Sequence, residues 1–279
     1  MDKANVALLQ LCSGSHIRSN LAQIEQQIKQ LPKSVKLVIT PENALVFASL
    51  TEYRENAEQE GNGILQEAIM EMAKRYNVWI LIGSMPLVSR EDPQRITSSS
   101  LLIDNQGQLK ARYDKLHMFD VDVADSHGRY NESDIYQNGE HLTVVDSPIG
   151  KLGLTICYDL RFPCQFQKLR DMGAEVIVVP AAFTRVTGEA HWEILLRARA
   201  IETQCWVLTA AQVGRHTERR STWGHSMAID PWGQVVALNE DHVNFITADV
   251  NIDELYAIRR NMPVESHNRF ETHLVPFKE

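Results

Sequence analysis

Apolar residues fall in short dense runs, separated by stretches in which they recur at helical spacing. Val6 to Gln10 reads as a buried strand. From Ser19 to Leu31, the positions Leu21, Ile24, Ile28 and Leu31 line one face of a helix. Val35 to Thr40 is a second apolar strand, closed by Pro41. Gly63 opens a helix through Ile64, Ala68, Met72 and Tyr76, and Val78 to Ser84 is the next strand. The order so far is β-α-β-α-β. Strands apolar on both faces belong to a sheet covered by helices.

The middle of the chain adds hairpins. Ser98 to Ile103 and Leu109 to Tyr113 flank the turn Asp104-Asn105-Gln106-Gly107. Thr143 to Asp146 and Lys151 to Ile156 flank Ser147-Pro148-Ile149-Gly150. Met227 to Ile229 and Val235 to Leu238 bracket Asp230-Pro231-Trp232-Gly233. Phe162 to Met172 reads as a helix, Val176 to Val179 as a buried strand and Trp206 to Ala211 as another. Trp192 to Gln204 is a helix with Ile194, Leu195, Ala198, Ile201 and Glu202 in register. Phe245 to Val250 is a late strand, and Ile252 to Arg260 a short helix. Crossovers and hairpins in one chain imply mixed sheets with helices outside.

Composition narrows the class. Apolar residues make up 44% and charged residues 23% of 279, which excludes a disordered chain, a collagen-like chain and a disulfide scaffold. A chain of this length buries a core without disulfide or metal staples. Without linker, low-complexity tract or repeat, residues 1–279 read as one domain. The 28 basic and 36 acidic residues give a net charge of −8. Nucleic acid and anionic membrane both call for a basic face and are not expected partners. No apolar run approaches the ~20 residues of a membrane-spanning helix. Met1 to Ser15 lacks a basic leader and a cleavage site, so it is expected to be a buried strand and not a signal peptide. Cys12, Cys157, Cys164 and Cys205 show no C-x-x-C spacing, which points to free thiols and a cytoplasmic location. Cys164 and Cys205 are expected to pack in the interior. The ten histidines include no H-x-H or H-E-x-x-H spacing, so no metal and no organic cofactor are expected. His117 and His191 are expected to satisfy local hydrogen bonds.

Three residues carry the chemistry. Cys157 ends the apolar strand Leu152-Gly153-Leu154-Thr155-Ile156 and precedes Tyr158-Asp159-Leu160-Arg161-Phe162-Pro163. A cysteine at a strand-to-helix elbow stands at the sheet edge, where a nucleophile belongs. The backbone N–H of Tyr158 would point into the same space, where it can serve an oxyanion. Glu42 follows a strand stopped by Pro41, and Lys115 follows the strand ending near Tyr113. Each alone is ordinary: a buried cysteine, a loop glutamate, a surface lysine. Together they all lie just past strand ends, where α/β sheets bind ligands. Gly224-His225-Ser226-Met227-Ala228 partly matches a serine elbow, but it runs into a strand where a true elbow enters a helix.

The segments Thr40-Pro41-Glu42, Tyr113-Asp114-Lys115-Leu116-His117 and Ile156-Cys157-Tyr158-Asp159-Leu160-Arg161-Phe162-Pro163 resemble the nitrilase superfamily of carbon–nitrogen hydrolases, in the family's order and over nearly the whole chain. The resemblance implies a four-layer α-β-β-α sandwich with mixed sheets. It also implies a catalytic triad of Glu42, Lys115 and Cys157, acting on linear amides through a cysteine thioester. Glu132, in Tyr130-Asn131-Glu132-Ser133, matches a family position that orients the triad lysine or the substrate; its ordinary reading is a polar loop charge. The resemblance further implies a homodimer or larger homo-oligomer.

A narrower likeness covers Phe183 to Glu193, Arg197 to Cys205, Gly214-Arg215-His216 and Gly224-His225-Ser226. These segments resemble the deaminated glutathione amidase branch, which releases 2-oxoglutarate and cysteinylglycine in metabolite repair. The partner is then a small-molecule amide carrying two carboxylates. Arg161, Arg185, Arg215, Arg219 and Arg220 follow predicted strands and offer carboxylate forks; Arg219 and Arg220 read equally well as a solvated loop pair. Arg161, Phe183, Thr184 and Thr187 are the candidate substrate-binding residues. Trp192 and the Arg197–Glu202 stretch are expected to serve packing. The rival readings are an ω-amidase acting on 2-oxoglutaramate, another amidase of the superfamily, a nitrile-hydrolysing enzyme, and a non-catalytic interaction protein on the same scaffold.

Overall fold

The computed structural model describes residues 5–125 and 128–276. Its first half contains β1 (Val6–Leu9), α1 (Ile17–Ile28), β2 (Leu37–Ile39), α2 (Leu50–Glu55), α3 (Ile64–Tyr76), β3 (Trp79–Val88), β4 (Ile96–Ile103) and β5 (Leu109–Asp114), followed by a ribbon of β6 (Asp120–Asp122) and β7 (Arg129–Asn131). The second half contains β8 (Val144–Ser147), β9 (Gly150–Leu154), α4 (Pro163–Asp171), β10 (Val176–Val178), α5 (Arg185–Thr203) and β11 (Trp206–Thr209). A second ribbon, β12 (Val213–Arg215) and β13 (Ser221–Trp223), precedes β14 (Ser226–Ile229), β15 (Val235–Asn239), β16 (Phe245–Ala248) and α6 (Ile252–Asn261).

Two six-stranded sheets result, in the orders β16-β1-β2-β3-β4-β5 and β15-β14-β11-β10-β9-β8. Each has three parallel strands at its centre and antiparallel strands at its edges. The late strand β16 returns to pair with β1, so the two ends of the fold are joined in one sheet.

The alternation of side chains sets the layers, since successive residues of a strand face opposite sides. Val6, Leu8, Leu37 and Ile39 meet Leu152, Leu154 and Val176 of the other sheet in one apolar cluster. Ala7, Leu9 and Val38 turn the other way and pack with Ile24, Ile28, Ile69 and Met72 of α1 and α3. Phe166 and Leu169 of α4 and Leu196 of α5 join the cluster of the second sheet. The architecture is the expected α-β-β-α sandwich with mixed sheets. The hairpin turns use one device twice: Asp104 Oδ1 accepts the Gln106 and Gln108 amides, and Asp230 Oδ1 accepts the Trp232 and Gln234 amides.

Two expectations are corrected. Helix α5 begins at Arg185, not Trp192, and its buried side is Trp192, Leu196, Arg199, Ala200 and Thr203. Ile194 and Ile201, two of the apolar positions read as in helical register, are 72% and 53% exposed. Gly188 masks the early start, because glycine weakens a helix pattern. It is there because a Cβ would lie 2.3 Å from Cβ of Trp223, which packs against that turn. Cys164, expected to pack, is exposed, while Cys205 is buried. The short α2 and both ribbons carry too few periodic residues to be read. Helix α2 does begin with a capping box, in which Ser49 Oγ and Glu52 satisfy each other's amides.

Candidate active site

Glu42 and Lys115 leave the first sheet just past β2 and β5, and Cys157 leaves the second just past β9. Packing the sheets face to face brings these strand ends to one place. Lys115 Nζ donates to Glu42 Oε1 at 3.0 Å and to Glu132 Oε2 at 2.8 Å. Glu42 and Cys157 line one slot, and the Glu42 charge acts on the Cys157 thiol. Lys115 is wholly buried, Glu42 is 3% exposed and Cys157 8%. The four side chains predicted for the centre of the site are therefore together.

The backbone around each is specified locally. Cys157 has φ 48°, in the left-handed region that costs a non-glycine residue on the order of 1 kcal/mol or more. Its N–H donates to Pro180 O at 2.9 Å. Buried Asp159 holds the elbow: Oδ2 accepts the Ile156 amide at 2.9 Å and the Tyr113 hydroxyl at 2.6 Å, and Oδ1 accepts the His117 amide at 3.2 Å. One carboxylate thus ties the Cys157 loop to the Lys115 loop. Glu42 is anchored by three contacts: Ala182 N–H donates to its Oε2 at 2.9 Å, Gln212 Nε2 donates to its carbonyl at 3.0 Å, and the next residue, Asn43 (φ 56°), donates its N–H to Ser84 Oγ. Gly83 makes this approach possible, because a Cβ there would stand 2.2 Å from Thr40 O. Glu132 opens a short 3-10 turn after β7, and its Oε2 also accepts the Phe119 N–H at 2.9 Å.

Charge is arranged to keep the thiol neutral and the ammonium charged. Burial first, then the Glu42 charge, pushes the Cys157 thiol well above its usual value, with Lys115 pulling the other way. Burial also opposes the Lys115 charge, but Glu132, Glu42 and Cys157 outweigh it and hold the ammonium well above the ordinary lysine value. A carboxylate that bonds the ammonium and shares a slot with the thiol can take the thiol's proton during attack. An ammonium fixed between two carboxylates stands ready for a developing oxyanion.

Two connected spaces serve the centre. A slot of about 20 Å³ is lined by Glu42, Glu132, Cys157, Tyr158, Phe183, Thr184, Thr187 and Arg220, among others. It is large enough for about one water-sized atom, such as a carbonyl oxygen. Beside it, sharing Tyr130, Glu132 and Arg220, opens a cavity of about 670 Å³. That volume falls in the range of small-molecule sites. Tyr158, Phe183, Thr184 and Thr187 line the slot, and Thr184 also caps α5 by accepting the Thr187 amide. Arg161 lines neither space. Its guanidinium carbon lies 5.4 Å from the Phe183 ring and 5.9 Å from the Tyr158 ring, and Nη1 contacts His191 Nδ1 at 3.3 Å. Of the five arginines marked in the sequence, Arg220 is the one that reaches both spaces. Ala182 and Phe119 were not anticipated. Ala182 follows β10 as Glu42 follows β2, so the same strand-end rule points to it, whereas Phe119 carries no local signal. Ser226, in the rejected serine elbow, is fully buried and bonded to Gln10.

The sequence profile of the carbon-nitrogen hydrolase family matches residues 5–260. The chain belongs to that family. As a carbon–nitrogen hydrolase it is 64% identical over 276 residues to the deaminated glutathione amidase of Yersinia enterocolitica, covering 99% of this chain and 96% of that one. It is 39% identical to the deaminated glutathione amidase of Dictyostelium discoideum, covering 97% and 95%. The crystal structure of Saccharomyces cerevisiae Nit3, described as a member of branch 10 of the nitrilase superfamily, superposes with a TM-score of 0.83 at 28% identity, over 95% of this chain and 96% of that one. The hydrolase thus lies in the nitrilase superfamily, in the branch of these amidases. Among its described residues, no helix is long and apolar enough to cross a membrane.

A half-buried histidine stands behind Phe47, on which it is stacked. His216 Nδ1 lies 2.8 Å from Ser13 O, which can only accept, so Nδ1 carries the proton and Nε2 accepts from Thr222 Oγ1 at 2.7 Å. Burial above all, aided by Arg220 and opposed by the Ser13 carbonyl, lowers its pKa to about 4. An unfolded histidine titrates near ~6.5. Between these values the unfolded chain binds the extra proton, so stability falls as pH drops through that window and levels off below it. Urea unfolding should lose up to about 3 kcal/mol from this group. His216→Gln should remove that part of the slope, and an unchanged slope in the variant would assign the loss to other groups.

Proposed function

We propose that this hydrolase cleaves deaminated glutathione to 2-oxoglutarate and cysteinylglycine. Cys157 is the nucleophile, Glu42 the general base and Lys115, with the Tyr158 N–H, the oxyanion partner. Glu42 takes the thiol proton as sulfur attacks the amide carbonyl. The tetrahedral oxyanion forms against Lys115, and its collapse breaks the C–N bond while Glu42 returns the proton to the departing amine. A thioester remains on Cys157. Water then attacks it, with Glu42 again taking a proton, and the carboxylic acid is released with the thiol restored. Glu132 keeps Lys115 in place. Phe183, Thr184 and Thr187 bound the slot that receives the scissile carbonyl, and Arg161 supports the ring of Phe183.

One observation carries this reading: a buried thiol, carboxylate and ammonium converge beside a cavity of about 670 Å³ in a chain 64% identical to a deaminated glutathione amidase. The size of that cavity, with Arg129 and Arg220 in its lining, favours an amide with an extended amine portion over free 2-oxoglutaramate. The reading includes a cytoplasmic site of action, supported by four free cysteines. It also includes a homo-oligomer, supported by the exposed Val186, Ile194, Ile201 and Trp232. The test compares kcat/KM for deaminated glutathione, 2-oxoglutaramate and a simple nitrile. Deaminated glutathione should lead by at least about tenfold, the scale of one good differential contact. A lead for 2-oxoglutaramate would restore the ω-amidase reading, and a lead for the nitrile would restore a nitrile-hydrolysing one.

A further inference from the structure

Arg220 stands at the seam between the slot and the larger cavity and lines both. Its backbone is fixed: its N–H donates to Thr217 Oγ1 at 3.1 Å, and its carbonyl accepts the His216 amide at 3.0 Å. Its guanidinium carbon lies 4.4 Å from the Phe47 ring centre and 5.7 Å from that of Tyr130. Phe47 is in turn stacked on neutral His216 at 3.9 Å. Among the described residues no side chain or carbonyl hydrogen-bonds this guanidinium, and no carboxylate pairs with it. The contrast with Arg112 is direct, since Arg112 is also largely buried but pairs with Glu60 at 3.0 Å and Asp114 at 2.8 Å. A guanidinium held on aromatic faces, with its forked donors unused, matches a planar carboxylate.

We infer that Arg220 is a specificity-determining residue that binds the carboxylate at the acyl end of the amide substrate. This deepens the proposed function and rests on it. Arg220 borders the same slot as Cys157, so the anion it holds must be tethered close to the scissile carbonyl. In deaminated glutathione the 2-oxo acid carboxylate is nearer to that carbonyl than the glycine carboxylate is. The acyl carboxylate therefore lies on Arg220, and the cysteinylglycine portion extends along the rest of the cavity. The enzyme would then select amides of dicarboxylic acids and tolerate changes in the amine.

The experiment compares wild type, Arg220→Gln and Arg220→Lys on three amides: deaminated glutathione, 2-oxoglutaramate and butyryl-cysteinylglycine, which lacks the acyl carboxylate. Arg220→Gln should lower kcat/KM about 10- to 100-fold for the first two, the scale of one hydrogen-bonded charged contact, mostly through KM. The third should stay within about twofold, the margin of a merely neighbouring change. Arg220→Lys should recover part of the loss, because it restores charge but not the fork. An equal fall on all three amides makes Arg220 a structural residue and overturns the inference. A fall confined to the two cysteinylglycine amides moves the contact to the glycine carboxylate and overturns it as well. If the variants do not fold, binding of 2-oxoglutarate to Cys157→Ala should weaken as rising salt screens the cation, and indifference to salt overturns the inference. If wild type fails on deaminated glutathione, the proposed substrate falls. The Arg220 assignment then stands or falls separately, on turnover of 2-oxoglutaramate relative to butyramide, the simple amide without an acyl carboxylate, in wild type and Arg220→Gln.

Discussion

Cys157→Ala should reduce turnover of any amide by about 10⁴-fold or more, the scale seen when a covalent nucleophile is removed. The fold should survive. The change deletes one sulfur from a residue 8% exposed, which costs about 1 kcal/mol or less by the measure of small core truncations and lowers the melting midpoint by roughly 2–4 °C in a chain of this size. Alanine tolerates the left-handed backbone at this position no worse than cysteine does. Activity and melting are thus expected to separate cleanly. Retained turnover in a well-folded variant would remove Cys157 from the mechanism, and with it the thioester. Mass spectrometry of the wild type quenched during turnover should show the matching acyl adduct on Cys157.

Lys115→Met should be the most damaging single change to stability. The ammonium is wholly buried and joins Glu42 to Glu132. Methionine fills similar space but leaves two carboxylates facing each other without a cation. Breaking a buried ion pair from one side costs about 3–5 kcal/mol. The pH dependence gives a signature that a packing defect would not. Without the lysine, the two carboxylates repel, so protonation is favoured in the folded state over the unfolded state. The folded variant then binds more protons, and it should regain stability as pH falls toward 5, relative to wild type. Chemical unfolding of both proteins between pH 8 and pH 5 measures this difference. A constant difference across that range would show that the carboxylates find other partners. Activity should fall at every pH, since the ammonium assigned to the oxyanion is gone.

The elements most readily seen in the sequence were those whose reasons are local. The alternation in Val6–Leu9 and Leu37–Ile39 sends odd and even side chains to opposite layers, and the structure uses both layers as the pattern requires. The three hairpins were readable from their turns. Helix α5 was readable as a helix but not by its face. Ile194 and Ile201 are apolar yet exposed, and buried Arg199 is polar yet bonded to the Leu160 carbonyl. Hydrophobic spacing cannot tell a face that meets the sheet from one that meets something else. The ribbon carrying Arg220 was unreadable for a related reason: its strands are three residues each, too short for a period to appear.

At the site, strand-end position singled out Glu42, Lys115 and Cys157, and the surrounding segments marked the family. Arg161 and Arg220 both follow strands, but that reading favoured Arg161 as the substrate-binding cation and took Arg220 equally well as half of a solvated loop pair. Only packing separates them, with Arg161 lying over Phe183 and Tyr158 and Arg220 facing the space where a substrate fits.

The amino-acid sequence by itself determined the strands, their two-sided burial, the turns and the types of reactive group at the strand ends, because these depend on backbone preference and on periodicity among near neighbours. The tertiary structure alone decided that ends from two different sheets share one cleft, which face of α5 is covered, and which arginine lines the space beside the thiol. Those outcomes depend on distances between segments remote in the chain, and such distances are fixed by how the layers pack.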